Sequence, residues 1–242
     1  MLKFPLFGIP VGVHVTFLFV ALLGAPRYRG VDIAIWTAAA FVSILLHEMG
    51  HALTARRFGA QGIRVTLYGL GGVTTYSHGS AVSHGRSFLI SAAGSAAGII
   101  AGGALFLLGR SGAFAGVSNE ILVFLESFIF TALVWGVLNW VPIVPLDGGH
   151  MVQHLASMVN EEKAPLISQV ITWITVAIVV PIALMNGYDF AAIIVVVFAF
   201  SGLREYRATI ARRKAATRPP ADPQPAPPAD PTPPKPPPEF PI

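Results

Sequence analysis

The chain has 242 residues, 54% of them hydrophobic and only 12% charged, where soluble domains carry roughly a quarter charged residues. That balance excludes an ordinary soluble domain and points to a polytopic membrane protein. There is no cysteine, which rules out disulfides, thiolate ligands and thiol nucleophiles, so any metal must take nitrogen and oxygen donors.

Residues Met1 to Pro10 lack the basic cluster and small-residue cleavage site of a secretory signal, so the first span is expected to be retained. Apolar stretches long enough to cross a hydrocarbon core predict six spans, at about 11–25, 32–56, 86–109, 119–141, 165–186 and 188–204. Pro10 and Pro26 punctuate the first, and Asn186-Gly187 makes a tight turn between the last two. Between the second and third, Val65-Thr66-Leu67-Tyr68 and Val73-Thr74-Thr75-Tyr76 flank Gly69-Leu70-Gly71-Gly72, which predicts a hairpin over 62–78 with an edge open to an extended peptide. From Pro219 to Ile242, thirteen of twenty-four residues are proline, so this end is expected to be disordered, with polyproline II character, as a bare spacer or a docking segment for a partner. The fold class expected is therefore an all-α polytopic membrane protein with a short membrane-associated β-hairpin. Residues 1–210 would form the membrane domain, and 211–242 a basic, then Pro-rich, cytoplasmic tail.

With both termini in the cytoplasm, thirteen of the sixteen Lys and Arg residues lie inside, and only Arg27, Arg29 and Arg110 outside. This asymmetry also accounts for the sequence pI of 9.7 without any need for nucleic acid. The Arg204 to Lys214 cluster reads as a juxtamembrane anchor on anionic lipid, with no need for nucleic acid.

The second span carries His47-Glu48-Met49-Gly50-His51 after fourteen residues, Ile33 to Leu46, without a charge. Histidines four apart share one helix face and can hold zinc, while the adjacent glutamate can act on a metal-activated water. Ionisable groups at membrane depth are costly and mark function by default. Catalytic zinc takes three protein ligands, and among the twelve acidic residues only Glu126 and Asp147 fall at a suitable depth on another element. Glu126 lies toward the outer end of the fourth span, whereas Asp147 follows Pro142 and Pro145, which break the helix at its inner end. Asp147 is therefore the third ligand expected. Five residues separate His51 from Arg56, so the metal would sit about 8 Å inside the cytoplasmic boundary.

His47-Glu48-x-x-His51, followed by Asn139-x-x-Pro142-x-x-Pro145-Leu146-Asp147-Gly148, resembles the site-2 protease family of intramembrane zinc metalloproteases over about residues 5–205. The resemblance implies one zinc on His47, His51 and Asp147, Glu48 as catalytic base, and Asn139 near the site as an oxyanion donor or a cap of the broken helix. Gly71-Gly72 resembles the family's glycine-containing substrate strand. The likeness is to the bacterial and archaeal branch, and this length has no room for a PDZ or CBS module. It implies a single-span transmembrane protein as substrate and a multi-pass location in a bacterial plasma membrane. Ala93-Gly94-Ser95-Ala96-Ala97-Gly98 departs from the family's Ala-Gly-Pro pattern. His14 is expected to pack through a hydrogen bond, and His150 or His154, at helical spacing after Asp147, could substitute as a ligand or stand behind the ligands. The rival reading is a non-catalytic metal-binding scaffold or divalent-cation carrier, which would have no use for Glu48.

Overall fold

Phe7 and Gly8, with φ of 50° and 77°, turn the chain between β1 (Leu2–Leu6) and β2 (Ile9–Val13), and Leu6 pairs with Ile9 across this two-residue loop. The computed structural model describes residues 1–216 apart from 70, 80 and 81, and omits the side chain of residue 214. The Pro-rich segment expected to be disordered lies outside the described residues. The described residues are 69% helical, with one small sheet.

The expected first span, 11–25, is not a single helix. Val11 to Val13 complete β2, Val15–Phe19 form a 3-10 turn capped by His14 Nδ1, and α1 spans only Val20–Gly24. Two physical reasons combine. Val11, Val13, Val15 and Thr16 are β-branched and resist helix. β2 also finds a parallel partner in β3 (Gln61–Tyr68), with Val11, Gly12 and Val13 opposite Val65, Thr66 and Leu67. A partner some fifty residues downstream leaves no trace in local pattern.

Among the described residues, four helices are long and apolar enough to cross a membrane: α2 (Val31–Arg57), α3 (His84–Arg110), α4 (Asn119–Asn139) and α6 (Ala164–Met185). The sixth expected span is the front of α7 (Asp189–Ala216), whose apolar part ends before Arg204 and reaches only about 22 Å, short of a roughly 30 Å core. A helix that the apolar runs did not mark, α5 (Asp147–Val159), lies between α4 and α6.

β3 pairs antiparallel with β4 (Gly71–Ser77), giving the sheet order β1-β2-β3-β4 and leaving β4 as an edge. On β3 the inward residues Ile63, Val65 and Leu67 are buried, and they join Met49, Ala52 and Ala55 of α2 in one core. The sheet is thereby packed onto the half of α2 that carries the histidines.

α2, α3 and α4 cross closely through small residues. Gly50 lies against the Ala93 carbonyl, where a β-carbon would collide, and Gly98 against the Ala132 carbonyl, where one would fit only tightly. After α4 the chain passes through residues 140–146 as a loop whose Ile143 is fully buried against Val176 and Ala199. Val144 N–H donates to Thr172 Oγ1 at 3.1 Å, and Ser168 Oγ donates to the Gly149 carbonyl at 2.8 Å. α6 thus holds both flanks of the residue that opens α5, Asp147.

Candidate metal centre

One face of α2 presents His47 and His51 a turn apart, both buried, with Glu48 buried beside them. Asp147 arrives from the start of α5, 96 to 100 positions away in sequence, and its Oδ2 lies 3.3 Å from Nε2 of each histidine. The two Nε2 atoms are 3.1 Å apart. A tetrahedral ion with bonds of about 2.0–2.1 Å needs its donors roughly 3.3 Å apart. Two imidazole nitrogens and one carboxylate oxygen at these separations therefore fit zinc and leave a fourth position open. Among the described residues they form the single group of this kind.

The imidazoles are oriented from behind. His51 Nδ1–H donates to the Ile90 carbonyl of α3 at 2.7 Å, which leaves the Nε2 lone pair facing the other donors. Gly94, one turn further along α3, lies so close to the His51 ring that a β-carbon there would overlap it. Ser95 Oγ, fully buried, donates to Asp147 Oδ2 at 3.1 Å. His47 Nδ1 is buried and has no hydrogen-bond partner among the described residues.

β4 closes the site over Glu48. A β-carbon at Gly72 would overlap the Glu48 side chain, and Thr74, two residues on and so on the same face of the strand, donates from Oγ1 to Glu48 Oε2 at 2.7 Å. The same hydroxyl lies 3.1 Å from the Glu48 carbonyl. Gly71, at φ 143°, packs against the Trp135 ring of α4. Burial first, and the Glu48 carboxylate second, push the Tyr68 hydroxyl above its usual range, which places Tyr68 within electrostatic reach of Glu48.

The fold brings His47, Glu48, His51, Asp147, Gly71 and Gly72 together. Asn139 is the last residue of α4, and its Nδ2 donates to the Trp135 carbonyl at 2.9 Å, the bond of a helix-end residue rather than of a group aimed at the metal donors. His14 is spent on Thr16, at 2.8 Å from its hydroxyl. His150 and His154 lie on α5 outside the metal-donor group. Thr74 and Ser95 escaped the sequence reading. A serine in an apolar span is a faint signal for the latter, but nothing local marks Thr74, because its partner comes from another element.

Comparison with known proteins agrees with this geometry. The model of Peptidase family M50 matches residues 112–182, the segment that holds Asn139 and Asp147. Zinc metalloprotease MJ0392 of Methanocaldococcus jannaschii is 26% identical over 157 residues, 64% of this chain and 44% of its own length. Rip3 of Mycobacterium tuberculosis is 34% identical over 113 residues, 46% of this chain and 28% of its own. The chain thus spans less than half the length of these relatives. The solved structure of a site-2 protease from Methanocaldococcus jannaschii superposes with a TM-score of 0.60 at 25% identity, covering 85% of this chain and 94% of that one. In sequence the chain is thus similar to zinc metalloproteases and, over residues 112–182, to Peptidase family M50, and in fold it is similar to a site-2 protease.

Proposed function

We propose that the chain is an intramembrane zinc metalloprotease that hydrolyses peptide bonds within or beside transmembrane segments of single-span membrane proteins. His47, His51 and Asp147 are the metal ligands and Glu48 is the general base. The observation that carries this reading is the convergence of three zinc-compatible donors at one end of a helix able to cross a membrane, with a buried carboxylate beside them.

Bound by these ligands, zinc supplies a Lewis acid that polarises a carbonyl and acidifies a water. Glu48, its carboxylate oriented by the Thr74 hydroxyl on Oε2, takes a proton from the attacking water and delivers it to the departing amine nitrogen. The Ile90 carbonyl keeps the His51 proton on Nδ1, so Nε2 remains a donor atom throughout. A helix hides its amides in its own hydrogen bonds, so the substrate unwinds and adds as a strand to the free edge of β4. Gly71 and Gly72 let its backbone approach Glu48. Asn139 caps the end of α4 through one amide N–H to the Trp135 carbonyl and keeps its second N–H for an oxyanion or the substrate backbone.

The charge distribution supports a multi-pass protein of a bacterial plasma membrane with both termini and the metal site toward the cytoplasm. The tail then serves as a spacer or as a docking segment for a cytoplasmic partner. Membrane proteomes of cells expressing wild type or Glu48→Gln test the activity. Single-span fragments or precursors accumulate in the mutant, and turnover of a co-expressed substrate falls about 10²–10⁴-fold. Unchanged turnover in Glu48→Gln, with zinc still bound, would favour the carrier reading instead.

A further inference from the structure

α3 supplies none of the three metal donors, yet it touches two of them. The Ile90 carbonyl accepts a hydrogen bond from His51, and five residues later Ser95 reaches Asp147. Hydroxyls within apolar helices ordinarily bond back to the carbonyl four residues earlier. Thr37, Thr131, Thr175 and Ser201 all do so here, at 2.7 to 3.0 Å. Ser95, itself fully buried, instead points out of its helix at a carboxylate 52 positions away.

The oxygen it chooses is the informative detail. Oδ2 is the atom that faces both imidazoles. A carboxylate oxygen has two lone-pair directions, and a donor on one leaves the other for a cation. Ser95 has little freedom to drift, because Gly94 abuts the His51 ring and Gly98 abuts Ala132 of α4. Asp147 itself stands at a helix start joined to a loop, where nothing in its own element dictates the side-chain direction.

We propose that Ser95 is a positioning residue of the metal centre: its hydroxyl fixes Asp147 Oδ2 as a single-oxygen ligand in line with the two histidines. The proposal rests on the three-ligand zinc site above. Partners of this kind alter metal affinity about 10–100-fold when removed.

The test uses the full chain purified in detergent, with zinc and cobalt as probes. Chelator competition should show wild type binding one zinc, His47→Ala binding none, and Ser95→Ala binding one zinc about 10–100-fold more weakly. The visible spectrum of cobalt-loaded Ser95→Ala should differ from that of wild type, and the metal-free forms of both should melt at the same temperature. Wild-type zinc affinity and cobalt spectrum in Ser95→Ala would overturn the role of Ser95 and leave the metal site standing. A metal-free Ser95→Ala destabilised enough to account for the weaker binding would also overturn it, in favour of a packing role. Failure of the wild-type chain to bind zinc would remove both the proposal and the site.

Discussion

Glu48 is gripped by a strand rather than by its own helix. Thr74 holds Oε2 at 2.7 Å, and Gly72 leaves no room for the carboxylate to swing toward the sheet. A hydrogen bond to a charged group contributes about 1.5–3 kcal/mol, and its loss here frees the side chain among several rotamers. Thr74→Val should therefore lower kcat about tenfold or more, with zinc content and KM close to wild type, whereas Thr74→Ser should retain most of the activity. Metal analysis alongside steady-state kinetics on a fluorogenic transmembrane peptide checks this, and a kcat unchanged in Thr74→Val would show that Glu48 is positioned by something else. His47 and His51 were legible from their spacing and Asp147 from elimination, because chemistry restricts which residue types can act at membrane depth. Thr74 and Ser95 were not, since a hydroxyl becomes informative only when the group it faces is known.

At the scale of elements, α5 links the metal centre to the polar surface. Burial, with the positive charge of His150 and His84 nearby, holds His154 down at about 4, from an ordinary value of 6.5. Above pH 6.5 the residue is neutral folded or unfolded and contributes nothing to pH dependence. Between 6.5 and about 4 the unfolded chain takes up the proton first, so stability is lost as pH falls through this window and levels off below it. Thermal melts of the detergent-solubilised protein should show a declining midpoint over that range, and His154→Gln should flatten part of the decline. An equal decline in wild type and variant would assign it to other groups. The same helix shows why one element was missed: α5 is thirteen residues long and only partly apolar, so no window over it resembles a span. The 62–78 hairpin, in contrast, was marked by β-branched runs around glycines, whereas its attachment to β2 depended on a contact across the whole of α2.

Across the whole molecule, the short elements at the N-terminus and the short apolar part of α7 leave four helices, among the described residues, long and apolar enough to cross a membrane. β2 is tied to β3 beside the histidine end of α2, while Trp36 near the other end donates to the Val20 carbonyl at 3.1 Å. Residues 14–30 therefore climb the length of α2 in a 3-10 turn, α1 and a loop, where one regular helix was expected. The native chain has no cysteine, so single replacements report sidedness cleanly. In intact cells Arg110→Cys should react with a membrane-impermeant maleimide, and Lys163→Cys only after permeabilisation. The opposite pattern would invert the topology. Composition and two motifs determined by themselves that the chain carries membrane-spanning helices and which residues could bind a metal, because solvation and ligand chemistry act residue by residue. Only the tertiary structure decided that the first span is partly a strand, that β4 is the free edge resting on Glu48, and that α3 orients two ligands without donating one. Those outcomes depend on pairings between segments far apart in the chain, and local pattern carries no record of which distant surface a segment will meet.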